Sequence, residues 1–155
     1  MEWLSELLSN RFLLAGVSSW AIAQVLKTLI HAALNKKFEI ERLFGDGGMP
    51  SGHSATVTSV ATMSALVCGL GSFEFAIAAI LAIIVCHDAM GVRLETGKQA
   101  AVLNELMELL EALSKKDLPE AKLKEFVGHT PLQVAAGILI GISNALFMFF
   151  VVFAS

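Results

Sequence analysis

The sequence predicts an all-α integral membrane bundle of about four transmembrane helices. An amphipathic cytoplasmic helix and a short interfacial N-terminal helix complete it. Three observations predict this class. The chain has 155 residues, 55% of them hydrophobic and only 16% charged, against about 25% charged in ordinary soluble domains; its mean hydropathy is +0.70. The apolar residues gather into four long segments. The Lys and Arg residues gather between them. The length suits one domain, 1–155. A net charge of −3 argues against a nucleic-acid partner.

The expected spans are 12–34, 53–70, 73–90 and 132–153. The first is about 23 residues, enough to cross a hydrocarbon core of ~30 Å. The second and third, about 18 residues each, sit at the low end of the spanning range, where a re-entrant hairpin is the alternative. A tight turn, Gly69-Leu70-Gly71-Ser72, separates them. Glu2 and Glu6 stand where a signal peptide carries basic residues. Trp3, Leu4, Leu7 and Leu8 recur at helical spacing, as in a helix lying along the interface. Cys68 and Cys86 both fall in apolar segments and imply core packing, with no disulfide framework.

With four spans, the connections 35–52 and 91–131 face one side. They hold Lys36, Lys37, Arg42, Arg93, Lys98, Lys115, Lys116, Lys122 and Lys124, whereas the other side shows only Arg11. The positive-inside rule places both connections in the cytoplasm and both termini opposite. The expected location is the plasma membrane of a bacterium or an organelle membrane. In the second connection, 96–127, a helix is expected to start at Thr96 or Gly97. Ala100, Leu103, Leu106, Leu110 and Leu113 form its apolar stripe, with Glu105, Glu108 and Glu111 on other faces. It is expected to break at 114–119 and resume over 120–127. Such a helix suits a cover for the end of the bundle; a lid or a contact with a second copy of the chain is the sharper reading.

Polar groups within membrane segments are expensive and usually functional. Gln24, Lys27 and His31 share one helix face. Snorkelling could explain Lys27, but not Gln24 a turn deeper. The stretch "GDGGMPSGHSA", 45–55, forms a second cluster. Gly47 and Gly48 permit backbone angles closed to other residues. Pro50 and Ser51 suit a helix start, as first-turn proline and capping hydroxyl. Amides at such a start bind phosphate, and His53 lies in the first turn to reach a bound anion. The third cluster is "CHDAMGVRLETGKQAAVLN". His87 and Asp88 close the third span, Gly91 ends it, and Arg93 offers a planar fork suited to phosphate oxygens. Lys98 and Gln99 open the next helix. In "VGHTPLQ", Gly128 reads as a helix stop, Thr130 as a cap and Pro131 as a first-turn residue. His129 is thereby held at the membrane surface, on the side of His53.

Together these motifs resemble the type 2 phosphatidic acid phosphatases and vanadium-dependent haloperoxidases, which share "PSGH". The order "Q-x-x-K", "GGMPSGHSA", "DAMGVR…G-x-QA…LN", "GHTPLQV" is closer to their divergent branch of integral membrane proteins, and spans 24–141. The resemblance implies a phosphatase site. The departures are specific. The parent pattern has Lys, six residues, then Arg-Pro; here Lys36 and Arg42 have five residues between them and Leu43 follows, so Lys27 is the better candidate. The parent nucleophile is a histidine six positions after an arginine, with an aspartate four further on; here Gln99 and Leu103 fill those places, and Val92 precedes Arg93 in place of Ser.

The resemblance therefore implies a lipid phosphate as substrate, held by Lys27, Arg93, Gln99 and the Ser51-Gly52 backbone. Gln24 and His31 would support this face. His53 would protonate the leaving oxygen. His129, oriented by Asp88, would supply the missing nucleophile; the alternative is His53 acting alone. No cofactor is expected, and a metal held by Asp88, His87 and His129 ranks last. The partners expected are the lipid phosphate, membrane lipids and, as an open case, a second copy of the chain. The rival to hydrolysis is non-catalytic binding or transport of a lipid phosphate.

Overall fold

A computed structural model describes residues 2–36, 48–114, 123, 125 and 127–154. The helices are α1 (Glu2–Leu8), α2 (Arg11–Asn35), α3 (Gly52–Cys68), α4 (Phe73–Met90), α5 (Val92–Ser114) and α6 (Pro131–Phe147), the last running into a π-helical segment, Met148–Val152. Among the described residues there is no strand. The protein is an all-α membrane bundle.

Helices α2, α3, α4 and α6 each start at a side-chain cap. The Asn10 side chain accepts from the N–H groups of Phe12 and Leu13, Ser72 from Phe75 and Thr130 from Gln133, whose own side chain returns a bond to the cap. These bonds satisfy amides that a helix start leaves open.

Three runs, Arg11–Asn35, Phe73–Leu113 and Pro131–Val152, are long and apolar enough to cross a membrane. The second expected span is α3, 17 residues or about 25 Å. It is the hub, packed against α6, α2 and α4. That position explains its composition. A helix surrounded by protein does not need lipid-facing Leu and Ile, and its small residues let neighbours approach. Its hydroxyls are satisfied along the helix: Thr56, Thr58, Thr62 and Ser64 donate to carbonyls four residues back. Ser59 instead donates to the Ala15 carbonyl of α2 at 2.9 Å.

The closest seam is between α3 and α6. A Cβ on Gly137 would strike the Ser51 carbonyl, and one on Gly141 the Thr58 hydroxyl and the Ala55 carbonyl. Glycines four residues apart thus let two backbones touch. Gly141→Val is expected to destabilise the bundle by about 3 kcal/mol, since the obstacle is backbone; a thermal melt in detergent should show the loss, and an unchanged melt would contradict this packing. At the far end, Asn144 of α6 donates to Ser18 and Ser19 of α2, both at 2.8 Å, and Arg11 lies over the Phe153 ring.

These contacts fix directions. α2 and α4 run antiparallel to α3, and α6 parallel to it. The helix ends that the two long connections join therefore lie at one end of the bundle, as expected from the sequence.

The second connection differs from expectation. Gly91 caps α4, with its N–H bonded to the His87 carbonyl, but interrupts the helix for one residue only. α5 begins at Val92, and Arg93 lies in its first turn. The buried face of α5 is Gly97, Ala100 and Asn104. The expected stripe, Leu103, Leu106, Leu110 and Leu113, is exposed apart from Ala100, so α5 does not cover the bundle end with that face. The expected helix at 120–127 lies partly outside the described residues; Leu123, Glu125 and Val127 are not helical. Asn104 is the physical reason: its side chain accepts from the Leu123 N–H and donates to the Leu123 carbonyl, both at 2.9 Å. These backbone groups are bonded across to α5 rather than along a helix.

Candidate functional site

Four elements bring polar groups to the end of the bundle where α3 and α6 start. From α2 come Gln24 and Lys27, at 8% and 7% exposure. Both face inward, so Lys27 does not snorkel; its stem lies 3.3 Å from where a Cβ on Gly48 would stand. Gly48 has φ +85°, so a side chain there would be strained as well as crowded. Thr28, 4% exposed, donates to the Gln24 carbonyl. His31, half-buried, is one turn nearer the helix end.

The start of α3 is the second component. Ser51 is the cap; its Oγ accepts from the Ser54 N–H and hydroxyl. Pro50 precedes the cap rather than sitting in the first turn. The Ser51 N–H donates to the Gln133 carbonyl at 3.0 Å, docking this start onto α6. The amides of Gly52 and His53, first and second in the helix, have no carbonyl to reach within it. They point out of the helix end with the positive dipole behind them, the arrangement that holds phosphate. The Gly52 position is flanked by Trp20, at 3.4 Å from a built Cβ, and by Gln24, at 3.9 Å.

The third component is His129, 5% exposed. Its N–H donates to the Ala89 carbonyl of α4 at 2.9 Å. Gly128, φ +88°, packs so closely on the backbone of Arg93 and Leu94 that no side chain fits. It is a turn glycine here, not a helix stop. The rings of His53 and His129 meet edge to face, 6.1 Å between centroids. The two histidines, 76 residues apart in sequence, thus face each other: His53 exposed, His129 enclosed.

Asp88 and Arg93 form the fourth component. Arg93 Nε donates to Asp88 Oδ2 at 2.6 Å, with the side chains 50% and 40% exposed. Asp88 is thus engaged by Arg93. A pair this exposed is worth at most about 1 kcal/mol, so Arg93 can exchange its carboxylate for a ligand phosphate at little cost. Gln99 is exposed on α5, where with Lys98, Val102 and Leu103 it lines an open surface groove of about 410 Å³. His87 is exposed at the end of α4. Among the described residues, no three His, Cys, Asp or Glu side chains gather closely enough to hold a metal. Gly47, Arg42 and Leu43 lie outside the described residues.

Two residues that the sequence reading did not single out matter here. Trp20 walls the Gly52 position; its place four residues before Gln24 was the available signal. Asn104 ties the segment leading to His129 onto α5, with a further bond to Glu125 at 2.8 Å. Asn104→Leu is expected to leave the Leu123 backbone groups unsatisfied, at a cost of about 2 kcal/mol. Limited proteolysis should then cut between 115 and 127 faster than in the wild type, while the bundle melts nearly as before; unchanged cleavage would contradict the clamp.

Comparisons with known proteins agree with this architecture. The profile of the family described as "Divergent PAP2 family" matches residues 8–144. The uncharacterized membrane protein YuiD of Bacillus subtilis (strain 168) is 42% identical over 146 residues, covering 88% of this chain and 92% of YuiD. No solved structure matches. The chain is an integral membrane protein and belongs to the Divergent PAP2 family.

Proposed function

We propose that this protein is a membrane-embedded phosphatase that hydrolyses a lipid phosphate or diphosphate of prenyl or diacylglycerol type. One observation carries the reading: a buried lysine packs its stem against Gly48, just before the start of α3, and that start bears His53, whose ring meets the ring of His129. Lys27 and the Gly52 and His53 amides hold the phosphate oxygens, and Arg93 closes on them from the bundle end. Such groups lower the barrier to phosphoryl transfer by position and charge. His129 attacks phosphorus, forming an N–P bond as the lipid O–P bond breaks. His53 gives its proton to the departing lipid oxygen. Water then cleaves the N–P bond, with His53 taking the water proton. In-line transfer needs the attacking and leaving groups on opposite sides of phosphorus. His53, the exposed ring, turns outward to admit the phosphoryl group. The apolar tail lies against the lipid-facing helices.

The test is phosphate release from a panel of prenyl and diacylglycerol phosphates by the purified protein, with His53→Ala and Arg93→Ala beside the wild type. Release that falls in both variants supports the reading. Release from no lipid would overturn it. The enclosure of His129 favours a second reading, in which the same pocket binds or moves a lipid phosphate without cleaving it; lipid retained without phosphate release is its signature. In either case the site faces the cytoplasm by the charge distribution. A Lys116→Cys label that reacts only from outside intact cells would reverse that orientation.

A further inference from the structure

The Gln24 side chain makes no hydrogen bond among the described residues. Its Oε1 is fully enclosed and without a partner, and the residue as a whole is 8% exposed. An amide in a membrane segment that satisfies nothing costs several kcal/mol in an apolar setting. Neighbouring polar groups are handled differently: Thr28, Ser54, Ser59 and Ser64 all find acceptors. Gln24 is aimed at the start of α3, against Gly52, and the tip of Trp20 lies beside it. Lys27 is three residues away on the same face, about 4.5 Å along the helix axis.

We propose that Gln24 is a specificity-determining residue that reads a hydroxyl lying next to the substrate phosphate. The inference rests on the phosphate position at Lys27 and the α3 start. An amide presents one acceptor and one type of donor to this space, whichever way it is turned. A fully ionised phosphate offers acceptors only, so it satisfies the donor and leaves the carbonyl bare. A hydroxyl supplies the missing donor. Its distance from the phosphate must match the step from Lys27 to Gln24, which suits a hydroxyl on the second carbon beyond the ester oxygen. The favoured ligand class is thus a lipid phosphate with a free hydroxyl beside the phosphate ester, such as a singly acylated glycerol phosphate. A bare prenyl phosphate leaves the amide half-satisfied.

The experiment uses the full-length protein in nanodiscs and two probes: oleoyl glycerol phosphate, and the analogue lacking only its secondary hydroxyl. Equilibrium binding and phosphate release are measured for the wild type, Gln24→Leu and Gln24→Met. The wild type is expected to bind the hydroxylated lipid at least about tenfold more tightly, the effect of one buried hydrogen bond. Both variants should lose that preference, fold normally and melt no lower, because they remove an unsatisfied polar group. A wild type that binds both lipids equally, or neither, overturns the proposal. So does a preference that survives in both variants, or failure of both variants to fold, which would make Gln24 structural. Binding preference without phosphate release would sink hydrolysis and keep this inference; release without preference would do the reverse.

Discussion

Lys27→Met is expected to lower kcat/KM for a lipid phosphate by about 10²–10³, the usual cost of removing one preorganised charge from a phosphoryl-type transition state. Methionine keeps the unbranched stem that packs over Gly48, so the helix pairing should survive, and a thermal melt run in parallel checks this. Lys27→Arg should recover little. Its planar fork is wider than an ammonium, and the lysine is only 7% exposed, with its stem against a glycine that exists to make room for it. If Lys27→Met retains activity within a factor of three or so, Lys27 is not a phosphate ligand.

The second large effect is at the histidine pair. His129→Ala is expected to abolish turnover, by about 10⁴ or more, because no other group then takes the phosphoryl. His53→Asn should cost about 10²–10⁴, the range for a general acid. Its loss should shrink for substrates with good leaving groups, such as a nitrophenyl phosphate, whereas the His129→Ala loss should not. A His129→Ala protein that still turns over would make His53 the only reactive histidine and remove His129 from the chemistry. The double variant tests their coupling: residues acting in one step lose far less than the product of the single losses.

Much of the fold is legible in the sequence because its signals are local. Apolar length and side-chain caps set α2, α4, and α6 with its π-helical continuation, to within a residue or two of the expected spans, and Gly91 marks the end of α4. The start of α5 is not legible. Gly91 interrupts the helix for one residue only, which composition does not distinguish from a loop. Periodicity gave α5 an apolar stripe but could not say what the stripe faces. Gly97, Ala100 and Asn104 take the buried side because a non-local segment docks there, and only the structure reveals the Asn104–Leu123 bonds. The polarity of α3 is likewise legible as composition, while its cause, a central position among three neighbours, is not.

The candidate site divides the same way. Gln24 and Lys27 share a face by helical spacing alone, and their inward orientation follows from their cost in lipid. The α3 start is readable from Ser51, Gly52 and His53, although Pro50 stands one step outside it. The meeting of His53 with His129 depends on Gly128 and the Ala89 carbonyl, both tertiary contacts. Gln99, placed in the site by its position in the family pattern, instead stands on the open surface of α5. The pairing of Asp88 with Arg93 follows from the close succession of α4 and α5 across Gly91.

The most direct measurement is an experimental structure of the protein in lipid with orthovanadate, an analogue of transferring phosphate. The anion is expected within hydrogen-bond distance of the Gly52 and His53 amides and of Lys27 Nζ, with a His129 ring nitrogen facing the vanadium. Vanadate seated elsewhere, such as the Lys98–Gln99 groove, or absent at saturating concentration, would contradict it.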